Sequence, residues 1–308
     1  MSLNDIARQT ILATAHNPAT ERLVGRYGMR LGASRFVAGE TLDECVAALR
    51  ALNEKGFKVN TTLLGEAVNS HDDALRAVRE YEIILRRLAA ERLDANVALK
   101  LTHLGLDLGE AVAEEHLVTL LEVARGLGLF IRIDMEESRH VDSTLAIYGR
   151  LRKRGFDNVG TVLQAYLYRS EADLEALLPL HPNLRLVKGA YLESREVAFP
   201  RKKDVDQNYL KLLERALIAG GHTAVATHDD AAIEHVIAFA SAQGIERDRF
   251  EFQMLYGVRP QLQRDLVGRG YRVLVATPFG SHWYPYLMRR LAERPANVLF
   301  LVRNLVRG

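Results

Sequence analysis

A single cysteine, Cys45, occurs in the 308 residues of the chain. An internal disulfide framework and a cysteine-rich zinc site are therefore excluded, and the composition fits a reducing compartment. Cys45 itself reads as a core thiol. Long apolar runs are also missing. No stretch reaches the ~18 residues that a membrane-spanning helix requires, and Met1 to Ala15 lacks the basic and then apolar order of a secretory signal. The expectation is a cytoplasmic protein, soluble or at most peripheral on the inner face of a membrane. Neither sign of charge dominates: 41 Lys and Arg stand against 39 Asp and Glu, for a net charge of +2 with no long block of either. That balance gives no electrostatic argument for nucleic acid and makes a small polar substrate the natural ligand. There is no low-complexity linker. There is also no Gly-x-Gly-x-x-Gly loop, which weighs against a doubly wound dinucleotide fold.

What is present is a repeated pattern. With 48% hydrophobic and 26% charged residues the chain can bury a large core. Short apolar runs fall at Phe57 to Leu64, Val97 to Leu101, Phe130 to Ile133, Val159 to Leu163, Leu184 to Val187, Thr223 to Ala226, Phe250 to Phe252 and Arg272 to Ala276. Amphipathic stretches separate them: Asp72 to Arg92, Glu110 to Gly126, Val141 to Arg154, Glu171 to Leu178, Asp206 to Ala219, Ala231 to Gln243 and Pro260 to Gly268. Strand followed by helix through eight units is the pattern of an α/β protein with a parallel (β/α)8 TIM-type barrel. Thr41-Leu42-Asp43-Glu44 reads as a capping box, and Gly56, Gly126, Gly155 and Gly244 are placed to end helices in the left-handed conformation. The expected organisation is one catalytic barrel domain over 1–308. Residues 1–56 would form N-terminal helices capping the barrel, and 57–308 the barrel and C-terminal helices.

Barrel enzymes carry their chemistry at the carboxyl ends of the strands. Here those ends bear Glu66, Lys100, Asp134, Gln164, Lys188, Thr227-His228-Asp229 and Gln253. A rim filled only for packing would be aliphatic, and each unpaired buried polar group would cost several kcal/mol. A polar ligand is implied. Near the end of the chain, Tyr286, Arg289, Arg290 and Glu293 align along one face of a helix while Leu287, Met288 and Leu291 take the other. Two guanidiniums beside a phenol suit a small carboxylate. Gly189-Ala190-Tyr191 after Lys188 leaves room for a flat cofactor against the backbone, although a simple tight turn has the same composition. A metal-dependent hydrolase built on His103, Asp134, His228 and Asp229 is the competing reading, and it lacks the His-x-His or Glu-x-x-His spacing of a shared strand or helix. A non-catalytic binding protein on a degenerate barrel is a third.

Several blocks carry a family resemblance: Leu63-Leu64-Gly65-Glu66, Lys100-Leu101-Thr102-His103-Leu104-Gly105, Ile133-Asp134-Met135-Glu136 and Leu163-Gln164-Ala165-Tyr166. Others are Arg185-Leu186-Val187-Lys188-Gly189-Ala190-Tyr191, Ala226-Thr227-His228-Asp229, Phe252-Gln253-Met254-Leu255-Tyr256-Gly257 and Trp283 through Glu293. Over nearly its whole length the chain resembles proline dehydrogenase, the flavin-dependent family that oxidises L-proline. The resemblance implies a distorted barrel binding FAD, with the last barrel helix over the active site and an N-terminal helix in that helix's usual outer place. It implies that Lys100, Arg289 and Arg290 hold the substrate carboxylate, that Tyr286 closes the pocket, and that Asp134, Tyr191, Leu255 and the Ala276 position line it. The FAD contacts implied are Asp134, Val162, Gln164, Arg185, Val187, Gly189, Ala190, Tyr191, Thr227, His228, Asp229, Gln253, Leu255, Arg290 and Glu293, with Arg185 near the N5 edge. A quinone acceptor, peripheral membrane contact and a downstream pyrroline-5-carboxylate dehydrogenase follow as implied partners. The tail Val298-Leu299-Phe300-Leu301-Val302 with Arg303 and Arg307 could touch the membrane, though a short apolar helix is ordinary core.

Two positions depart from the family pattern. Ala276-Thr277-Pro278-Phe279-Gly280 stands where the family carries Tyr-Val-Pro-aromatic-Gly, so a substrate-lining tyrosine becomes Ala276. The space this opens makes 4-hydroxyproline or another substituted proline an alternative substrate. Thr62 replaces an Asp ahead of Leu-Leu-Gly-Glu.

Overall fold

The structure is a computed structural model that describes residues 28–29, 32–65 and 67–293, the side chains of 291–293 excepted. Eight strands close into a parallel barrel in sequence order: β1 (Lys58–Leu63), β2 (Ala95–Lys100), β3 (Ile131–Asp134), β4 (Val159–Gln164), β5 (Asn183–Val187), β6 (His222–Ala226), β7 (Phe250–Leu255) and β8 (Val273–Phe279). Around them run α1 (Leu42–Asn53), α2 (His71–Ala90), α3 (Glu110–Gly126), α4 (Val141–Lys153), α5 (Ser170–Leu177), α6 (Lys202–Ala219), α7 (Asp230–Ala242) and α8 (Pro260–Gly268). A final helix, α9, covers Trp283–Glu293.

The alternation of each strand divides its side chains between two environments. Outward residues such as Val59, Val97, Leu99, Ile131, Ile133, Leu184, Leu186, Phe250, Phe252 and Val275 join one core with the helices. Inward residues are far more polar. Register pairs Lys100 with Asp134, Gln164 with Val187, Arg185 with Val162 and Ala224, Gln253 with Ala226 and Leu274, and Ala276 with Leu255 and Asn60. The carboxylates, amides and guanidiniums read from the strand ends therefore share the barrel interior near one mouth.

Helix α1 packs outside β1 and β8, where its buried Cys45, Val46 and Leu49 join the main core. It starts with a full capping box. The Thr41 hydroxyl accepts from the Glu44 N–H at 3.3 Å, and the Glu44 carboxylate accepts from the Thr41 N–H at 3.1 Å, a device worth about 1 kcal/mol. Cys45 is the core thiol expected, within 3.2 Å of the Thr61 hydroxyl, and burial pushes it up to about 12.

The last helix leaves the outer ring. Trp283, Tyr284, Leu287 and Met288 of α9 form a separate cluster with Ala33, Phe36 and Val37, against Leu64 in the loop after β1 and Val258 in the loop after β7. Both loops leave the carboxyl ends of their strands, so α9 lies across that mouth. The Trp283 indole donates to Glu40 at 2.7 Å and fixes the start of the helix.

Gly56, Gly155 and Gly244 take positive φ as expected, but Gly126 does not. It is the last residue of α3, and Gly128 carries the turn at φ 69°. Residues 1–27, Glu66 and the tail from 294 onward lie outside the described residues.

Candidate active site

Arg185 is the centre of the mouth. Its Nη1 donates to Asp134 Oδ1 at 2.6 Å and its Nε donates to Gln253 Oε1 at 2.5 Å, across from β5 to β3 and β7. Its Nη2 is buried with no partner among the described residues, and so is Gln164 Oε1 on β4. A buried donor and a buried acceptor left unsatisfied on neighbouring strands each cost free energy, and together they fit a ligand that offers both kinds of group. Val162 and Val187 lie beside these two residues in register and supply apolar wall.

Cations gather around Asp134. Lys100 neighbours it in register on β2, and among the described residues Lys100 and Arg289 form no ion pair. Arg289 is half-buried on α9, and its charge reaches the Tyr191 hydroxyl. That phenol is pushed up, first by burial and then by Glu136, with Arg289 opposing. Arg290 stands over the Tyr286 ring at 5.4 Å. The polar face read from the sequence is thus present: Tyr286, Arg289 and Arg290 are half-buried while Leu287 and Met288 are buried. The side chains of Leu291 and Glu293 lie outside the described set.

Further round the rim, the Leu255 N–H donates to His228 Nε2 at 2.9 Å, which puts that ring's proton on Nδ1. Asp229 caps α7, accepting from the Ala231 N–H at 3.1 Å, and also receives Lys188 Nζ at 3.1 Å. Its carboxylate is held by the fold, and so is Lys188, which also reaches Asp206 at 2.6 Å on α6. The Thr227 hydroxyl accepts from the Asp229 N–H at 3.1 Å. Lys188 thus turns away from the mouth that its place in the sequence suggested. Gly189 has φ 113°, and a Cβ there would lie 2.2 Å from the Tyr166 ring, so the small residue is required by Tyr166 packing on that face. Ala190 is exposed beside it. The following loop is strapped down by Glu193, which accepts from the Ser138 N–H and hydroxyl, each at 2.7 Å.

The hydrolase quartet is not assembled. His103 Nδ1 meets the Tyr81 hydroxyl at 3.3 Å on α2, and among the described residues the carboxylate and imidazole atoms that gather within 4.8 Å belong to Glu136, Glu137 and His140. Sequence reasoning missed the interior layer beneath Arg185, formed by Arg132, His222 and Glu251. Arg132 was legible as a charge between Ile131 and Ile133, and Glu251 as one between Phe250 and Phe252.

A proline dehydrogenase family model matches residues 45–303. The chain belongs to the proline dehydrogenase family. It is 42% identical over 300 residues to proline dehydrogenase 1 of Bacillus subtilis subsp. natto, covering 97% of this chain and 99% of that one. It is 41% identical over 310 residues to the proline dehydrogenase of Deinococcus radiodurans, covering 99% and 100%. Such identity over full length makes the chain an oxidoreductase, a proline dehydrogenase of proline catabolism. The fold matches the proline utilization A crystal structure from Bdellovibrio bacteriovorus, inactivated by N-propargylglycine, with TM-score 0.81 and 24% identity over 93% of this chain and 36% of that one. A Bradyrhizobium japonicum proline utilization A mutant gives TM-score 0.74 at 26% identity, over 93% and 33%. The chain thus spans about a third of those longer proteins.

Proposed function

We propose that this proline dehydrogenase oxidises L-proline to Δ1-pyrroline-5-carboxylate using FAD, with a quinone as final acceptor. The observation that carries the reading is the pair of unsatisfied buried atoms, Arg185 Nη2 and Gln164 Oε1, on one rim. An isoalloxazine edge, with carbonyl acceptors and a ring N–H, has the complementary set. Arg185, Gln164, Val162, Val187, Gly189, Ala190, Thr227, His228, Asp229, Gln253 and Leu255 would hold the cofactor, with Asp134, Tyr191 and Arg290 at its substrate side. When bound, FAD supplies the hydride acceptor.

The chain's own residues do the rest. Lys100, Arg289 and Arg290 hold the substrate carboxylate and fix which ring carbon faces the acceptor. Their positive potential also favours loss of a proton from the ring nitrogen, leaving the amine as the free base that oxidation requires. Helix α9 closes the mouth through Tyr286 and keeps water from the product imine. The Arg185 cation stabilises negative charge arriving on the cofactor side.

A second reading is favoured by one position. Ala276 faces inward in register with Leu255 and Asn60, and a methyl group in place of a tyrosine ring would leave space there for the substituent of 4-hydroxyproline or another substituted proline. Among the described residues no helix is long and apolar enough to cross a membrane; the contact proposed with a membrane quinone is peripheral. The bifunctional protein PutA from Escherichia coli is 28% identical over 95% of this chain and 27% of that one. By analogy, the product here would pass to a pyrroline-5-carboxylate dehydrogenase.

The test is turnover. Purified protein given L-proline and a soluble quinone should reduce the quinone and release the cyclic imine; quinone reduction that is equal without an imino acid would refute the reading.

A further inference from the structure

Beneath the mouth a line of hydrogen bonds runs down the inward face of β7. Gln253, 4% exposed, gives its carbonyl to Arg185 Nε at 2.5 Å and its amide Nε2 to Glu251 Oε1 at 2.6 Å. Glu251 is 5% exposed and two residues deeper. Its other oxygen lies 3.8 Å from His222 Nε2 at the start of β6. Opposite it, Arg132 is buried, donating to the Asn183 carbonyl at 2.7 Å and the Thr161 carbonyl at 3.1 Å.

We propose that Glu251 is a positioning residue which, through Gln253, fixes the orientation of the Arg185 guanidinium at the flavin site. The inference rests on the flavin reading above. A glutamine side chain presents a donor at one end and an acceptor at the other, and the two ends are nearly equal in shape. Arg185 can only donate, so it needs the acceptor end. An ionised carboxylate can only accept, so it demands the donor end. Glu251 therefore admits one of the two Gln253 orientations, and that orientation is the one that receives Arg185. Burial would keep Glu251 protonated, but the nearby His222 ring, the Gln253 amide and the Arg132 cation outweigh it and hold the carboxyl at about 2. Asp134 then fixes Nη1, and Nη2 alone is directed to the ligand.

Glu251→Gln is nearly isosteric but can accept or donate, which frees Gln253 to turn its amine toward Arg185 and break the Nε bond. In the FAD-loaded variant kcat is expected to fall by about tenfold or more while KM for proline stays within about twofold. The midpoint potential of the bound flavin should move negative, because the reduced cofactor loses its oriented cation. The sign is diagnostic. A carboxylate acting only through its charge would give a positive shift on removal, and that result, or an unchanged potential, overturns the proposal. So does a rise in KM that matches the fall in kcat. Glu251→Asp keeps the buried charge while withdrawing it by one methylene, and serves if Glu251→Gln fails to fold. A partial loss is expected, and wild-type behaviour overturns the proposal. Cofactor-free crystals separate this idea from the flavin reading. If the wild type binds no FAD, the flavin reading fails, while Arg185 found unmoved in Glu251→Gln crystals sinks the positioning role by itself.

Discussion

Arg185 and Asp134 are joined across the barrel mouth at 2.6 Å, from β5 to β3, with side chains 11% and 24% exposed. The pair balances one charge against the other. With Gln253 on Nε, it leaves the guanidinium a single unsatisfied corner, and the position of that corner is set by three strands.

Removing Asp134 should therefore act on activity more than on folding. Asp134→Ala leaves a buried cation without its carboxylate, a change that costs about 3 to 5 kcal/mol where both partners are fully buried. Here the opening of the mouth reduces it to about 1 to 3 kcal/mol. Thermal melts and steady-state kinetics test this together, and a variant with wild-type kcat/KM would remove Asp134 from the site.

Arg289 and Lys100 bring positive charge with no ion pair among the described residues. Arg289→Ala or Lys100→Ala should weaken binding of the substrate carboxylate by about 2 to 5 kcal/mol, seen chiefly as a raised KM. The measurement is KM for L-proline alongside affinity for a cyclic carboxylate lacking the ring nitrogen. Equal affinity in wild type and variant would show that these cations do not grip the acid.

Much of this was legible in the chain. Glu110–Gly126 and Pro260–Gly268 begin and end where the periodicity places them, because amphipathic spacing runs unbroken and Pro260 suits a first helical position. The strands were found through their outward faces, which are apolar. Their ends were not. β7 runs on through Gln253 to Leu255 because its inward side chains are polar, so the apolar run stops before the strand does. β8 continues through Pro278 to Phe279, where a strand reading halts at proline. The carbonyls there are still used: Pro278 accepts from the Ala38 N–H at 2.8 Å and Phe279 from the Leu64 N–H at 2.7 Å. Ala276 consequently sits inside β8 and not at its end. The outward turn of Lys188 depends on α6, and the interior layer of Arg132, His222 and Glu251 depends on closure of the barrel. Neither is a local property of the sequence.

Ala276 gives a prediction on specificity. Ala276→Tyr fills the inward space next to Leu255 and should lower kcat/KM for 4-hydroxyproline relative to L-proline by about tenfold, the scale of a steric change in a small pocket. Side-by-side kinetics decide it, and an unchanged ratio would mean that the space at residue 276 does not govern which ring enters.

His103 gives a prediction on pH. It packs against Gly65, and burial, with Lys100 and His282 adding to it, holds the imidazole down at about 4. The unfolded chain takes up this proton near 6.5, while the folded protein does not. Stability must therefore fall as the pH drops from about 6.5 to about 4, by roughly 3 kcal/mol from this group, and level off below. Denaturant titrations across that range should show the slope, and His103→Asn should flatten it. An equal slope in the variant would assign the acid sensitivity elsewhere.

In the proposed reaction Arg185 and Gln164 would hold a flavin, which would supply the hydride acceptor for an imino acid held by α9. An anaerobic titration of the purified protein with L-proline, followed in the visible spectrum, tests it most directly. The oxidised flavin bands should be present and should bleach as proline is added, with release of the cyclic imine. A colourless protein that takes up no FAD, or flavin bands that persist in excess proline and in excess 4-hydroxyproline, would contradict it.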